Sequence, residues 1–156
     1  MTPGRPTSKL TPKQVGIKYG FRSGLEERVA VQLKVAKVPF EYEKTTLKYI
    51  VPARTARYTP DFVILPNGII VETKGRFLTD DRQKMLLIKE QYPDLDIRFV
   101  FTNPNTRISK TSATTYAMWA DKHGFPYAKG TIPSAWLKEK PTKVRMEALN
   151  KVKHGS

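Results

Sequence analysis

The chain has 156 residues, with 28 Lys and Arg against 14 Asp and Glu, a net charge of +14. Apolar residues are 39% and charged ones 27%, a globular balance for one domain with a real core. The absence of Cys excludes a disulfide scaffold, a thiolate zinc site and a cysteine nucleophile. The longest apolar runs are about four or five residues, as in Phe62-Val63-Ile64-Leu65, so no membrane span is expected, and no signal-peptide centre is visible. The first expectation is a cytoplasmic, polyanion-binding protein.

Residues 1–22 hold five basic groups (Arg5, Lys9, Lys13, Lys18 and Arg22) and no acid. With Pro3 and Pro6 and little apolar content, residues 1–20 read as a flexible basic arm that tracks phosphates by counterion release. A solubilising tail is the bland alternative. Ser23-Gly24-Leu25-Glu26 is a capping box, and Leu25, Val29, Leu33 and Ala36 recur at helical spacing, predicting a helix over 24–37. Phe40-Glu41-Tyr42-Glu43 alternates as a strand, and Thr45–Val51 continues extended. Tyr58–Leu65 reads as a strand entered through Pro60. Asn67-Gly68 supplies a tight hairpin turn, with Ile69–Thr73 as the return strand.

Thr79-Asp80-Asp81 opens a second helix that ends near Pro93. Asp96-Ile97-Arg98-Phe99-Val100-Phe101 alternates as a strand. Strand, helix and strand over 69–101 have the length of a crossover unit, so those strands are predicted parallel. A third helix over 112–123 ends at Gly124, and Ile132–Trp136 reads as a short turn. Residues 138–156 read as a basic C-terminal tail, leaving 21–137 as the single folded domain. The order α-β-β-β-α-β-α predicts an α/β (α+β) fold, a mixed sheet with flanking helices.

Asp61, Glu72 and Lys74 are the residues that suggest chemistry. They lie in strands apolar on both faces, which predicts burial on both sides, and buried carboxylates need a compensating cation. A two-residue Asn67-Gly68 loop pairs Pro66 with Ile69. Asp61 then lies opposite Lys74, with Glu72 its diagonal neighbour. Two converging carboxylates beside an amine suit a hard divalent ion acting on a phosphodiester. A strand-surface ion pair is the alternative. Glu26 fits the N3 position of a capping box, and Glu41 an outward strand carboxylate. The two His residues form no H-E-x-x-H pattern, which disfavours a zinc hydrolase. No Walker or G-x-G-x-x-G loop is present, so no nucleotide cofactor is expected.

Five strings carry a resemblance: Phe21-Arg22-Ser23-Gly24-Leu25-Glu26, Phe40-Glu41-Tyr42-Glu43, Tyr58-Thr59-Pro60-Asp61-Phe62, Leu65-Pro66-Asn67-Gly68-Ile69 and Val71-Glu72-Thr73-Lys74-Gly75. It continues through Asp80-Asp81-Arg82, Asp94-Leu95-Asp96-Ile97-Arg98 and Ile132-Pro133. In this order, over roughly 21–137, the chain resembles the phage endonuclease I family, Holliday-junction resolvases of the PD-(D/E)xK nuclease superfamily. The resemblance implies an intertwined, strand-exchanged homodimer. It implies Mg²⁺- or Mn²⁺-dependent cleavage of four-way junctions and other branched DNA by paired nicks, with two ions per active site.

Carried over by position, Asp61, Glu72, Thr73 and Glu26 would hold the metals and Lys74 would be the catalytic amine. Glu26 would reach the partner's site, and Glu41 matches a further acidic position. Arg5, Lys9, Lys13, Lys18, Arg22 and Ser23 are the expected DNA contacts. The family's Asp and Glu stand one residue closer than Asp61 and Glu72. Such a change flips strand faces unless a bulge absorbs it.

Two other readings stay open. A non-catalytic basic protein that packages nucleic acid explains the charge but not the carboxylates in apolar strands. A sequence-specific, restriction-type nuclease would need a recognition module, and none is evident.

Overall fold

A computed structural model describes residues 24–154. In chain order the elements are α1 (Gly24–Val35), β1 (Phe40–Tyr42), β2 (Leu47–Val51), β3 (Arg54–Tyr58), β4 (Phe62–Ile64) and β5 (Ile69–Lys74). Then follow α2 (Thr79–Gln91), β6 (Ile97–Phe101), α3 (Tyr116–His123), β7 (Tyr127–Lys129), α4 (Ser134–Lys138) and α5 (Lys143–His154). A five-stranded mixed sheet has the order β1-β4-β5-β6-β7, and β2 and β3 form a separate antiparallel pair. β1, β4 and β5 pair antiparallel, while β5, β6 and β7 pair parallel. The β5-α2-β6 crossover is therefore parallel, as its length predicts.

β4, β5 and β6 are buried almost throughout, because apolar groups cover both sheet faces. On one face Phe62, Ile64, Ile69, Val71 and Val100 pack against Leu25, Val29, Ala30 and Leu33 of α1. On the other, Val63, Ile70, Phe99 and Phe101 meet Met85 and Ile88 of α2, Trp119 of α3 and Leu149 and Val152 of α5. Phe77 anchors that second layer, with ring centroids 5.0 Å from Phe99, 5.5 Å from Phe101 and 4.8 Å from Trp119.

Several elements differ from the sequence expectation. The strand predicted over 58–65 is split at Pro60 into β3 and β4, because a proline has no N–H for a continuous ladder. Arg54–Tyr58 instead folds back on Leu47–Val51, and Ala53 turns between them at φ 85°. α3 starts at Tyr116 rather than 112, because Thr115 Oγ1 caps it by accepting from Met118 N–H at 3.1 Å. The short turn predicted over 132–136 runs into α4, and the basic stretch read as a tail from residue 138 holds α5, which buries Leu149, Val152 and Arg145.

The β4-β5 hairpin also differs in register. Ile64 pairs with Ile69, so the turn has four residues, Leu65–Gly68, instead of two. Gly68 N–H donates to Ile64 O at 2.8 Å, and only Gly68 of this turn has positive φ, at 79°. A Cβ there would come within 2.8 Å of Met146 Sδ, so the glycine also lets α5 close onto the hairpin. The register moves by two, which preserves the faces. Asp61 thus falls next to Glu72 instead of opposite Lys74. The β4 and β5 ladder runs unbroken, and no bulge is needed.

Asp96 and Arg98 look like the solvent side of a one-faced strand, yet β6 is buried on both faces. Arg98 donates to both Asp96 oxygens at 2.9 and 2.8 Å and to Glu139 at 3.1 and 2.9 Å. Arg145 of α5 bonds Asp96 at 3.0 Å and Glu139 at 2.5 Å, and donates to Asn67 O at 3.2 Å. The C-terminal helix is thereby tied to the hairpin turn.

Candidate active site

The hairpin brings Asp61 and Glu72 to adjacent strands at one end of the sheet. Pro60 fixes the entry to β4, and Asp61 follows it, only 1% exposed. Asp61 Oδ2 accepts from Thr73 N–H at 2.9 Å and from Thr73 Oγ1 at 2.8 Å. In return, Asp61 N–H donates to Glu72 Oε1 at 3.2 Å. The same Oε1 accepts from the Tyr58 hydroxyl at 2.9 Å, while Glu72 Oε2 lies 3.6 Å from Lys74 Nζ. Lys74 Nζ is also 3.6 Å from Asp81 Oδ1 in the first turn of α2. Asp81 Oδ2 caps that helix by accepting from Leu78 N–H at 3.1 Å.

α1 and the end of β1 add two more carboxylates. Glu26, Glu43 and Asp61 each offer an oxygen, and these lie within 4.8 Å of one another. Glu26 is 3% exposed, unusual for a glutamate in a helix's first turn. Ser23 of the predicted capping box lies outside the described residues, as do Arg5, Lys9, Lys13, Lys18 and Arg22.

The electrostatics follow from burial and like charge. Desolvation first, and then the charge of Asp61, push the Glu72 carboxyl up to about 7, against the opposing pull of Lys74 and the Tyr58 hydrogen bond. Burial and then Glu72 hold the Tyr58 hydroxyl well above its ordinary value, so it stays a donor. Four acidic side chains sharing a mostly buried corner constitute a strong demand for cationic charge. Hard oxygen donors in this number suit a divalent metal ion, with Lys74 beside them.

Matching sequence features decide the family. The sequence pattern of the family described as Phage endonuclease I matches residues 8–156. Endonuclease I of Escherichia phage T7 is 48% identical over 131 residues, 84% of this chain and 87% of that protein. Endodeoxyribonuclease 1 of Enterobacteria phage T3 is 46% identical over 135 residues, 86% of this chain and 88% of that one. The chain belongs to the phage endonuclease I family.

Within this family member, Glu26, Asp61, Glu72, Thr73 and Lys74 come together, and Glu41 does not join them. Glu41 accepts from Thr45 Oγ1 at 2.7 Å and lies 3.3 Å from Lys153 and 3.8 Å from Lys44. The Thr45 hydrogen bond, with help from Lys153 and Lys44, outweighs burial and holds its carboxyl below the usual range. Glu43 is instead the β1-end carboxylate that lies near Glu26 and Asp61. Strand alternation puts residues 41 and 43 on one face, but Glu43 turns out at φ 49°, and its N–H donates to Asp61 O at 3.0 Å. Neither Tyr58 nor Asp81 was a candidate from the sequence. Asp81 reads as a helix-start acid, and Tyr58 as the first residue of an extended strand. Strand register and the Pro60 break were the missing information.

Proposed function

We propose that this phage endonuclease I family member is a metal-dependent, structure-selective DNA endonuclease. It cleaves four-way junctions and other branched DNA by paired phosphodiester hydrolysis. One observation carries the reading: buried acidic groups gather beside a fixed lysine in a chain of net charge +14. Asp61, Glu72, Glu26 and Thr73 would hold the divalent ions, Mg²⁺ or Mn²⁺, two per site as the family resemblance implies. A bound ion of this class supplies Lewis-acid stabilisation of the phosphate and an attacking water of lowered pKa.

The protein's own groups do the rest. Thr73 holds Asp61 in place through Oδ2. Lys74, kept between Glu72 and Asp81, offers its ammonium to charge developing on the phosphate. Arg5, Lys9, Lys13, Lys18, Arg22 and Ser23 bind the DNA backbone, which sets affinity and orientation.

The active form is an intertwined homodimer. Two nicks across one junction need two sites at fixed geometry, and a two-fold protein matches the approximate two-fold symmetry of the substrate. Exchange of α1 and β1 between subunits brings Glu26 into the partner's site. In the single chain α1 and β1 fill those positions themselves, and exchanging identical elements preserves the contacts. The reaction takes place in the cytoplasm of the infected host cell, where branched phage DNA forms.

Plasmid nicking tests the reading. Nicked product with Mg²⁺ and none with chelator is expected. Binding without nicking under both conditions would favour the packaging protein.

A further inference from the structure

We infer that Tyr58 is a positioning residue for Glu72, selecting which carboxylate oxygen remains available to the reaction; the inference rests on Glu72 being a metal ligand, as proposed above. Tyr58 ends β3, in the two-stranded sheet outside the main sheet that carries Asp61 and Glu72. It is 1% exposed and pairs across the ribbon with Leu47. Lys84 Nζ stands 5.1 Å from its ring centroid, from α2. The ring is thus held by two elements, and its hydroxyl points at one atom.

That atom is Glu72 Oε1, at 2.9 Å. Oε1 also accepts from Asp61 N–H at 3.2 Å. Two donors thus share one oxygen, which matches the two lone pairs it has to offer. The other oxygen, Oε2, has Lys74 Nζ at 3.6 Å and no hydrogen bond of that kind from Tyr58 or Asp61. The carboxylate plane is therefore fixed with one oxygen saturated by protein and the other left for a cation.

A buried carboxylate needs such donors to be charged at all, and a hydrogen bond to an ionised acceptor is roughly twice as strong as a neutral one. Loss of the hydroxyl leaves Asp61 N–H alone on Oε1 and frees the carboxylate to rotate. Groups that orient metal-binding side chains in this way typically cost about 10–100-fold in metal affinity or activity when removed.

Tyr58→Phe keeps the ring, its packing and the Lys84 contact, and deletes one donor. Mn²⁺ titration of the DNA-free protein, followed by electron paramagnetic resonance, reads metal affinity without turnover. Tyr116→Phe is the comparison, because it also removes a buried tyrosine hydroxyl, one that accepts from Phe77 N–H at 3.1 Å. Tyr58→Phe should weaken Mn²⁺ binding by about 10-fold or more, raise the metal concentration needed for cleavage in parallel, and leave junction binding in chelator unchanged. Tyr116→Phe should lower the melting temperature and leave Mn²⁺ binding at the wild-type value.

Wild-type Mn²⁺ affinity in Tyr58→Phe overturns the inference while sparing the metal-site reading. Equal weakening in both variants overturns it as well, since loss of either buried hydroxyl would then act through general loosening. A Tyr58→Phe chain that fails to fold makes the hydroxyl a requirement of the fold and overturns it too. Absence of Mn²⁺ binding in the wild type removes the metal-site reading itself.

Discussion

Asp61 and Glu72 lock each other: the Asp61 N–H donates to Glu72 Oε1 at 3.2 Å, while Asp61 Oδ2 takes the N–H of Thr73, the residue after Glu72, at 2.9 Å. Each carboxylate is held by the backbone beside the other. The spacing of the pair is thus a property of two adjacent strands, and side-chain rotamers have little freedom to change it. Four residues of turn, closed at Gly68, set that spacing.

Asp61→Asn and Glu72→Gln keep the size of each side chain and remove its charge. Each should abolish cleavage, to below about one part in a hundred of wild type, and leave junction binding near wild type, because affinity rests on phosphate contacts. Gel-shift and cleavage assays on one substrate separate the two effects. Parallel loss of binding and cleavage would mean that these residues are structural.

Glu26 tests the exchange between subunits. Glu26→Gln retains a side chain that serves in a capping box, so stability should change little while turnover falls steeply. Mixed dimers of Glu26→Gln with Glu72→Gln distinguish the two arrangements. With exchange, one site keeps Glu26 and Glu72 together and the other loses both, so the mixed dimer nicks one strand. Without exchange each site lacks one carboxylate, and the mixed dimer stays as inactive as its parents.

The ion network at the C-terminal end predicts an acid limit. Burial raises the Asp96 carboxyl, but Arg98 and then Arg145 outweigh it and hold it below its ordinary value; the Arg98 hydrogen bond leads in doing the same for Glu139. A depressed native pKa stabilises the fold above the unfolded value and is lost as pH falls through the native one. Stability should therefore fall as pH drops below about 4, with a smaller fall in Asp96→Asn. Arg145→Ala, which strips a largely buried cation from two carboxylates and a carbonyl, should cost about 3 kcal/mol at neutral pH. Urea titrations at pH 3, 4 and 7 measure both, and an identical acid loss in Asp96→Asn would contradict the assignment.

Deleting residues 1–18 removes Arg5, Lys9, Lys13 and Lys18. If all four touch phosphate, the slope of log K against log salt should shrink by about 3–4, at roughly 0.9 per contact. Fluorescence anisotropy over a salt series reads this directly. An unchanged slope would make the arm a spectator.

Much of this architecture is legible in the residues themselves. The βαβ crossover, burial of β4 and β5 on both faces, and the convergence of Asp61 with Glu72 all follow from apolar runs and strand parity. The four-residue turn shifts the hairpin by two from the tightest register, and the convergence survives because parity is kept in an even shift. Glu43 was hidden because a positive φ breaks strand alternation, and no residue-type signal marks a glutamate for that conformation. The β2-β3 ribbon was hidden because Arg54–Tyr58 is polar on its exposed side and runs into Pro60. α5 was hidden because its charges outnumber the few residues it buries, and a buried Arg145 looks like one more basic tail residue. Tyr58 could be tied to Glu72 only once those two sheets were placed against each other.

Dependence of cleavage on DNA shape and on a divalent ion is read in a single side-by-side assay. A four-way junction and a linear duplex of the same sequence are incubated side by side with the protein, in Mg²⁺ and in chelator. Paired nicks in the junction alone, and only with Mg²⁺, are the predicted result. Equal cutting of the linear duplex would show that the enzyme does not select DNA shape, and junction cleavage that persists in chelator would show that it needs no divalent ion.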